Sequence, residues 1–297
     1  MDDTLEQARW LAETVGVRTL ELGAIRVEGE DAREWLNGQI TNDVSHSAPG
    51  SAVYALVVTV KGRIATDLWV LDHGETLDLL VQRDRLGPLI EHYERYIVME
   101  DVELEGREID VVSAQGPRSA ELEGGFACDR LGSGGRDHPD GDLEEIVGRA
   151  AALGGGPVAP EAWELARLRA GRPALNADFD ETSYPQEAGL VNLGVSFTKG
   201  CYVGQEVVCM LEQRGQLRRM LTQLRGDALP PPGSPLRHEG TEVGTVRSGM
   251  LDPADGQAWI HAYIKRAHAE VGTAFEADTG IVTVREILGG KASKGAL

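Results

Sequence analysis

The spacing of apolar side chains divides the chain into short helices and β-rich stretches. Apolar residues recur at helical spacing over residues 4–15 and 84–96, which predicts amphipathic helices with one buried face. Residues 160–170 begin at a proline and stop at a Gly-Arg-Pro sequence, the start and stop signals of a helix. Alternating or β-branched stretches predict strands at residues 19–27, 51–60, 64–71 and 77–81. Residues 60–63 separate two of these strands and predict a hairpin turn.

The carboxyl-terminal part of the chain has a different pattern. A Pro-rich sequence at residues 227–233 predicts a loop or linker, and short β-like stretches with glycine turns follow it. Residues 216–297 carry 10 basic and 9 acidic side chains, whereas residues 1–215 carry 19 and 39. The change in both pattern and charge predicts a separate small β domain at this end.

The net charge of −19 restricts the classes of partner that the protein can bind. A surface this acidic repels a phosphate backbone, so we expect no direct binding of nucleic acid. The net charge is still compatible with a local basic pocket that binds a small anion. Three cysteines form neither a disulfide framework nor a permanent four-cysteine cluster, and no metal site is predicted. The acidic amino-terminal sequence and the lack of a long apolar stretch favour a cytoplasmic protein with no membrane segment.

Residues 199–206, with the sequence KGCYVGQE, carry the most distinctive chemistry. Residues 201–212 have helical composition and Thr198 is a good N-cap residue, which places Cys201 in the first helical turn. The helix dipole and the cation of Lys199 would both favour an ionised, nucleophilic sulfur there. The alternative interpretation is a small buried Cys201 and a solvated Lys199. Cys209 is predicted to belong to the core.

Four further charged residues are candidates for a ligand site. Asp67 lies among apolar residues of a predicted strand, where a buried carboxylate needs a partner, unless it lies on the solvent face of that strand. Glu187 follows a Tyr-Pro turn and is either a site residue or an exposed loop acid. Arg218 and Arg219 suit carboxylate or phosphate ligands, but only one of two adjacent strand residues can face a given site.

The KGCYVGQE segment matches a signature of the YgfZ family, the folate-binding proteins of iron–sulfur cluster maturation, and the chain resembles that family from about residue 20 to 225. Residues 35–44, 61–64, 194–198 and 215–219 fit the same family. The family is related to the T-protein of the glycine cleavage system, an aminomethyltransferase that uses tetrahydrofolate. The resemblance implies an α+β fold of T-protein type: a three-domain cloverleaf of antiparallel sheets with flanking helices and a small C-terminal β barrel.

The resemblance also implies domain boundaries and three departures from the T-protein. The first folate-binding domain would comprise residues 1–46 and 147–215, the second α+β domain residues 47–146, and the barrel residues 216–297. The T-protein carries two adjacent acids in the strand that corresponds to residues 64–70. Here Thr66 replaces the first acid and Asp67 keeps the second, which argues against aminomethyl transfer but allows another one-carbon reaction. Arg169 stands where the T-protein usually has Glu, and the T-protein lacks the Lys-Gly-Cys-Tyr segment.

Tetrahydrofolate or a folate derivative is the cofactor that the resemblance implies, with Cys201, Lys199 and Asp67 as the reactive residues. The residues expected to contact folate are Glu187, Arg218, Arg219, Tyr202 and Asn42. The leading hypothesis is an accessory factor for iron–sulfur proteins, which binds its client proteins transiently and acts through the Cys201 thiol beside Lys199. The second is a folate-dependent aminomethyl- or methyltransferase with Asp67 beside the reactive nitrogen. The third is a folate-sensing binding module without chemistry.

Overall fold

The computed structural model describes residues 3–215 and 217–290. The helices are α1 (Asp3–Glu13), α2 (Ala32–Gln39), α3 (Leu86–Glu94), α4 (Leu143–Ala152), α5 (Pro160–Arg169), α6 (Pro185–Ala188), α7 (Val191–Gly194) and α8 (Gln205–Arg214). The strands are β1 (Gly16–Glu28), β2 (Ala52–Val58), β3 (Ile64–Asp72), β4 (Leu77–Gln82), β5 (Glu103–Gln115), β6 (Gly135–Pro139), β7 (Gly156–Pro157), β8 (Arg219–Gly226), β9 (Pro235–His238), β10 (Thr241–Leu251), β11 (Ala258–Lys265), β12 (Ala274–Ala277) and β13 (Gly280–Ile287). None of the helices in the described ranges has the length and apolar character that a membrane crossing requires.

A mostly antiparallel, seven-stranded sheet forms the body of the protein. Its strands lie in the order β2-β3-β4-β1-β5-β6, and β7 pairs with β1 in parallel. The predicted hairpin is confirmed, because β2 and β3 pair antiparallel and the Thr59 N–H donates to the Arg63 carbonyl at 2.8 Å. Strand β1 of the first predicted domain pairs with β4 and β5 of the second. The sheet is therefore continuous across residue 46, and the division of residues 1–215 into two domains stays a prediction.

The two faces of this sheet are covered differently. On one face, alternate strand residues such as Ile25 and Leu79 are fully buried against Leu36 of α2 and Tyr93 of α3. Each such side chain contributes roughly 1.5–3 kcal/mol by leaving water, so this face holds a main part of the core. The opposite face carries a smaller apolar cluster, and some of the residues packed against it, including Trp69, are only partly buried. A cavity lies on that side.

The carboxyl-terminal residues form a closed barrel with the strand order β10-β11-β8-β13-β12-β9, as predicted. Leu224, Ile260 and Phe275 are buried in a core of its own. The Pro-rich sequence at residues 227–233 connects β8 to β9, which are both strands of the barrel. It is therefore a loop of the barrel rather than a linker between domains, because β8 before it already pairs with β11 and β13.

A buried network of charged side chains docks the barrel onto the body. The Asp178 carboxylate accepts hydrogen bonds from Arg167 of α5 and from Ser248 of β10, and it lies 3.2 Å from His261 Nδ1 of β11. All four residues are buried. Burial alone would raise the pKa of the Asp178 carboxyl, but His261, Arg167 and Ser248 hold it well below its usual range. Removal of one partner would leave an uncompensated buried charge, so the network fixes the barrel firmly.

A second ion pair joins the end of α5 to the barrel. Arg169 donates to the two oxygens of the Asp252 carboxylate at 2.9 and 2.6 Å, and Trp259 Nε1 donates at 2.9 Å. Burial alone would raise the pKa of Asp252, but Arg169, the Ala254 N–H and Trp259 lower it to about 2. Because an unfolded Asp has a pKa of about 3.9, the stabilisation is present above that pH and is lost as the pH falls towards 2.

We expect Asp252→Asn to lower the free energy of unfolding by about 2 kcal/mol at pH 7, because that energy corresponds to the lowered pKa of the native carboxyl. The difference from wild type shrinks as the pH is lowered below 4. Urea unfolding at pH 7, 4 and 3 measures it. The control is Asp255→Asn, whose half-exposed carboxylate pairs with Arg225 and contributes less than about 1 kcal/mol. A difference that stays constant from pH 7 to pH 3 would contradict the prediction.

Candidate functional site

A cavity of about 560 Å³ lies on the open face of the sheet. Its floor consists of strand residues that alternate with the core positions: Leu22 of β1, Tyr54 of β2, Asp67 and Trp69 of β3, and Leu80 of β4. Helix α5 and the loop residues 129–131 and 172–175 form the walls. This volume is within the range of small-molecule sites, and the lining combines apolar surface with a few charged groups, as such sites do.

Asp67 lies on the cavity floor beside Tyr54, whose hydroxyl donates to Asp67 Oδ2 at 2.9 Å. Burial raises the pKa of the Asp67 carboxyl despite this hydrogen bond, and burial beside Asp67 raises the pKa of Tyr54. Of the two interpretations of Asp67, the structure favours the partnered residue at a site over the solvent-facing one. A carboxyl with a raised pKa can accept a proton from a bound ligand or donate one to it.

Two tryptophans give the cavity flat apolar surface. Trp69 follows Asp67 by two residues on β3 and so lies on the same face, with its ring centroid 5.5 Å from that of Tyr54. Trp163 approaches from α5. The sequence predictions missed both residues. Strand alternation from Asp67 could have identified Trp69, whereas Trp163 is distant in sequence and leaves no local signal.

Asn42 connects the cavity to the KGCYVGQE segment. Its side chain lines the cavity, and its Nδ2 donates to the Tyr54 carbonyl at 2.8 Å. Its own carbonyl accepts a hydrogen bond from Lys199 Nζ at 2.7 Å. Asn42 is thus in contact with the cavity and with the segment that carries Cys201.

The Lys199 side chain is buried, and its ammonium closes the end of α2. Nζ donates to the carbonyls of Asn37 at 2.5 Å, Ile40 at 2.9 Å and Asn42 at 2.7 Å. The last carbonyls of a helix have no partner within it, and a cation there also interacts favourably with the helix dipole. Burial lowers the pKa of Lys199 to about 8. The interpretation of Lys199 as a solvated loop cation is therefore wrong. Its three ammonium protons point to carbonyl oxygens rather than to the Cys201 thiol.

The helix predicted from residue 201 begins four residues later. Helix α8 starts at Gln205, and Gly204 before it has a φ of 80°. A Cβ at Gly204 would lie 2.3 Å from the Thr59 carbonyl oxygen, so glycine is needed at this position. Because this left-handed residue interrupts helical geometry ahead of Gln205, the helix cannot extend back to Cys201, and Thr198 is not its N-cap. The predicted activation of the Cys201 thiol by the dipole of this helix is therefore wrong. Cys201 is exposed ahead of the helix, so it is not a buried apolar residue either.

Most of the segment has clear structural contacts, and Cys201 is the exception. Tyr202 is buried beside Val208 in an apolar cluster and does not line the cavity. The Val203 N–H donates to the Gly38 carbonyl at 3.1 Å. In residues 3–215 and 217–290, no hydrogen bond or ion pair engages the Cys201 side chain. Its place in the segment is therefore not explained by packing.

The three cysteines differ in exposure. Cys128 is fully buried, Cys209 is half-buried on α8, and Cys201 is exposed. Burial raises the pKa of the Cys128 and Cys209 thiols, which keeps both protonated at neutral pH. Cys201 is accordingly the thiol that a partner molecule can reach.

Glu187, Arg219 and Arg218 lie outside the cavity lining. The buried Glu187 carboxylate accepts a hydrogen bond from Arg219 Nε at 3.3 Å and lies 3.8 Å from Arg63 Nη1. The Arg219 guanidinium stacks on the Tyr263 ring at 4.1 Å, and Arg218 is exposed ahead of β8. The interpretation of Glu187 as an exposed loop acid is therefore wrong. Through Arg63 and Arg219, its carboxylate joins the β2–β3 hairpin to the barrel. The predicted folate contacts of these three residues have no support from the position of the cavity.

Known proteins share this architecture. Residues 2–127 match the GCVT N-terminal domain, and residues 216–285 match the glycine cleavage T-protein C-terminal barrel domain. The crystal structure of glycine cleavage system aminomethyltransferase T from Bartonella henselae is similar with a TM-score of 0.81, over 95% of this chain and 88% of that one, at 20% identity. The predicted α+β fold of T-protein type is thereby confirmed. Fold and domains together define a protein of the glycine cleavage T-protein class.

Two relatives narrow this assignment. An aminomethyltransferase of Rubrobacter xylanophilus is 28% identical over 275 residues, which cover 82% of this chain and 74% of that protein. The tRNA-modifying protein YgfZ of Yersinia pestis is 26% identical over 275 residues, which cover 81% of each. The chain is a YgfZ-like protein related to the T-protein of the glycine cleavage system. This relationship supports a folate-binding role of the YgfZ type.

We expect Lys199→Met to lower the free energy of unfolding by roughly 2–4 kcal/mol, because three carbonyls in the last turn of α2 and the turn after it lose their donor. Lys61→Met is the matched control, since Lys61 is exposed in the hairpin turn and also precedes a glycine. Its effect should stay within about 0.5 kcal/mol. Urea unfolding at pH 7 measures both variants. Similar small effects of the two substitutions would be incompatible with the capping role of Lys199.

Proposed function

We propose that the protein is a folate-binding accessory factor for iron–sulfur proteins, with tetrahydrofolate or a derivative in the cavity and the Cys201 thiol as the group that acts on a client protein. The observation that carries the proposal is the exposure of Cys201 within a segment whose neighbouring residues are fixed by structural contacts. An exposed thiol on such a rigid support is placed for an intermolecular reaction.

The cavity supports a folate as its ligand. A pterin ring is flat and carries several hydrogen-bond donors, which suit the surfaces of Trp69 and Trp163 and the carboxyl of Asp67. The relationship to T-proteins points to the same class of cofactor. Asn42 is the one predicted folate contact that lies on the cavity wall.

The role with client proteins is supported by the arrangement of thiols and by charge. Three cysteines of such different burial cannot hold a resident four-cysteine cluster, so any contact with a cluster would be transient and made by Cys201. The relative in Yersinia pestis is named a tRNA-modifying protein. A chain with a net charge of −19 is poorly suited to bind tRNA itself, which favours action on an enzyme that modifies tRNA.

A second candidate function is a folate-dependent aminomethyl- or methyltransferase. The observation that favours it is Asp67, a carboxyl with a pKa raised by burial on the floor of the cavity. Such a group could exchange a proton with a folate nitrogen during one-carbon transfer. In this alternative, Cys201 is not required for turnover.

We expect tetrahydrofolate to bind the purified protein at one site, and Trp163→Ala to weaken the affinity about 10-fold because a stacking surface is lost. Isothermal titration calorimetry measures both. Glu187→Gln is the control, since Glu187 lies outside the cavity lining and its variant should bind within about twofold of wild type. A loss of affinity in Glu187→Gln with none in Trp163→Ala would place the folate elsewhere.

In cells that depend on this protein, we expect Cys201→Ser to abolish its support of iron–sulfur enzyme activity. Cys209→Ser should retain that support in full, and Asp67→Asn, which keeps an acceptor oxygen on the cavity floor, should retain most of it. The reason is that Cys201 is the exposed thiol, while Cys209 is half-buried. Enzyme activity in extracts, with protein levels checked by immunoblot, is the measurement. The reverse pattern, with Asp67 required and Cys201 dispensable, would instead support the transferase.

A further inference from the structure

Two arginines on the cavity wall keep guanidinium N–H groups that no described residue accepts. Arg172 has one long side-chain contact, from Nη2 to Asp129 Oδ2 at 3.4 Å. Arg130 Nε donates to Asp137 Oδ2 at 2.7 Å, and its Nη2 lies 2.5 Å from the same oxygen without a hydrogen bond, so neither Nη1 nor Nη2 has an acceptor among the described residues. Both residues line the cavity. A ligand in the cavity can therefore reach donors that the protein itself leaves open.

A third arginine that lines the cavity, Arg167, differs from these two because its role is structural. The Arg167 guanidinium donates to Glu164, to Asp178, to Ser248 and to the carbonyl of Arg172, so its donors are committed within the protein. The hydrogen bond from Arg167 Nη1 to the Arg172 carbonyl, at 2.6 Å, fixes the backbone of Arg172. Arg167 is thus a positioning residue for Arg172.

Arg172 and Arg130 are held in place before any ligand binds. A Cβ at Gly132, where φ is +86°, would lie 2.8 Å from Arg172 Nε, so the guanidinium packs directly on this turn. The Gly132 N–H donates to Asp129 Oδ1 at 2.6 Å and orients the carboxylate that contacts Arg172. The Arg130 guanidinium lies 5.7 Å from the centre of the Trp69 ring. Preorganised donors lose little conformational entropy on binding.

We propose that Arg130 and Arg172 form a carboxylate subsite of the cavity, an inference that rests on the proposed function. A guanidinium offers parallel N–H donors that match the two oxygens of a carboxylate. A folate carries carboxylates on its glutamyl tail and none on its pterin ring. The geometry therefore assigns the tail to Arg130 and Arg172, and the ligand class to acidic folates rather than unconjugated pterins.

Calorimetric titration with tetrahydrofolate and with 6-methyltetrahydropterin, which lacks the tail, tests this subsite. We expect wild type to bind tetrahydrofolate about 10- to 100-fold more tightly than the pterin, as charge-assisted hydrogen bonds provide. Arg172→Met should remove most of that difference and leave the pterin affinity within about twofold. Arg172→Lys, which keeps the charge but not the fork, should be intermediate. Arg237→Met, on the barrel surface, is the control and should change neither affinity.

The outcomes separate this inference from the proposed function. Equal affinity of wild type for the two ligands, or an unchanged tetrahydrofolate affinity in a folded Arg172→Met variant, overturns the carboxylate subsite while folate binding stands. Equal weakening of both ligands in that variant also overturns it, because the arginine then shapes the cavity as a whole. Failure of wild type to bind either ligand overturns the proposed function and this inference with it.

Discussion

The hydrogen bonds of the Lys199 ammonium hold together the parts of the molecule on which the proposed function depends. They close α2 and fix the carbonyl of Asn42, whose side chain lies on the cavity wall. The same segment is tied to the turn after α2 by the bond from the Val203 N–H to the Gly38 carbonyl. Cys201 lies exposed between these two anchors. The Cys201 thiol and the cavity therefore share one rigid support. The Lys199 ammonium does not point at the sulfur, but its hydrogen bonds hold the backbone that positions Cys201.

Helix α5 has a comparable double role between the cavity and the barrel. Its Trp163 forms part of the cavity wall, while Arg167 and Arg169 bind Asp178 and Asp252 in the docking network. Because both ion pairs are largely buried, they hold the helix in one place more firmly than surface pairs could. The barrel thus contributes to the cavity without lining it, since it fixes the helix that does.

Local patterns in the sequence predicted the strands, the hairpin and a separate small β domain, because periodic burial and turn residues leave a record over a few neighbouring positions, whereas the closed barrel was implied by the family resemblance. The start of α8 was not predictable in this way, because it is set by the close approach of Gly204 to Thr59, far away in sequence. Of the two interpretations that the sequence left open for Asp67, the structure favours the buried acid with a partner. Glu187 has the same character, but its partner is Arg219 in the barrel rather than a ligand. Composition alone cannot distinguish these two fates of a buried carboxylate.

Two of the three departures from the T-protein, Thr66 and Arg169, have physical explanations that do not involve the cavity. Thr66 is buried on the core face of β3, opposite Asp67, so the acid that it replaces would not have faced the cavity. Arg169 is used in the ion pair with Asp252 of the barrel. Neither difference therefore removes a group from the cavity, and Thr66 does not weigh against one-carbon transfer. Under the proposed function, the exposed thiol of Cys201 is the group at which chemistry on a client protein begins.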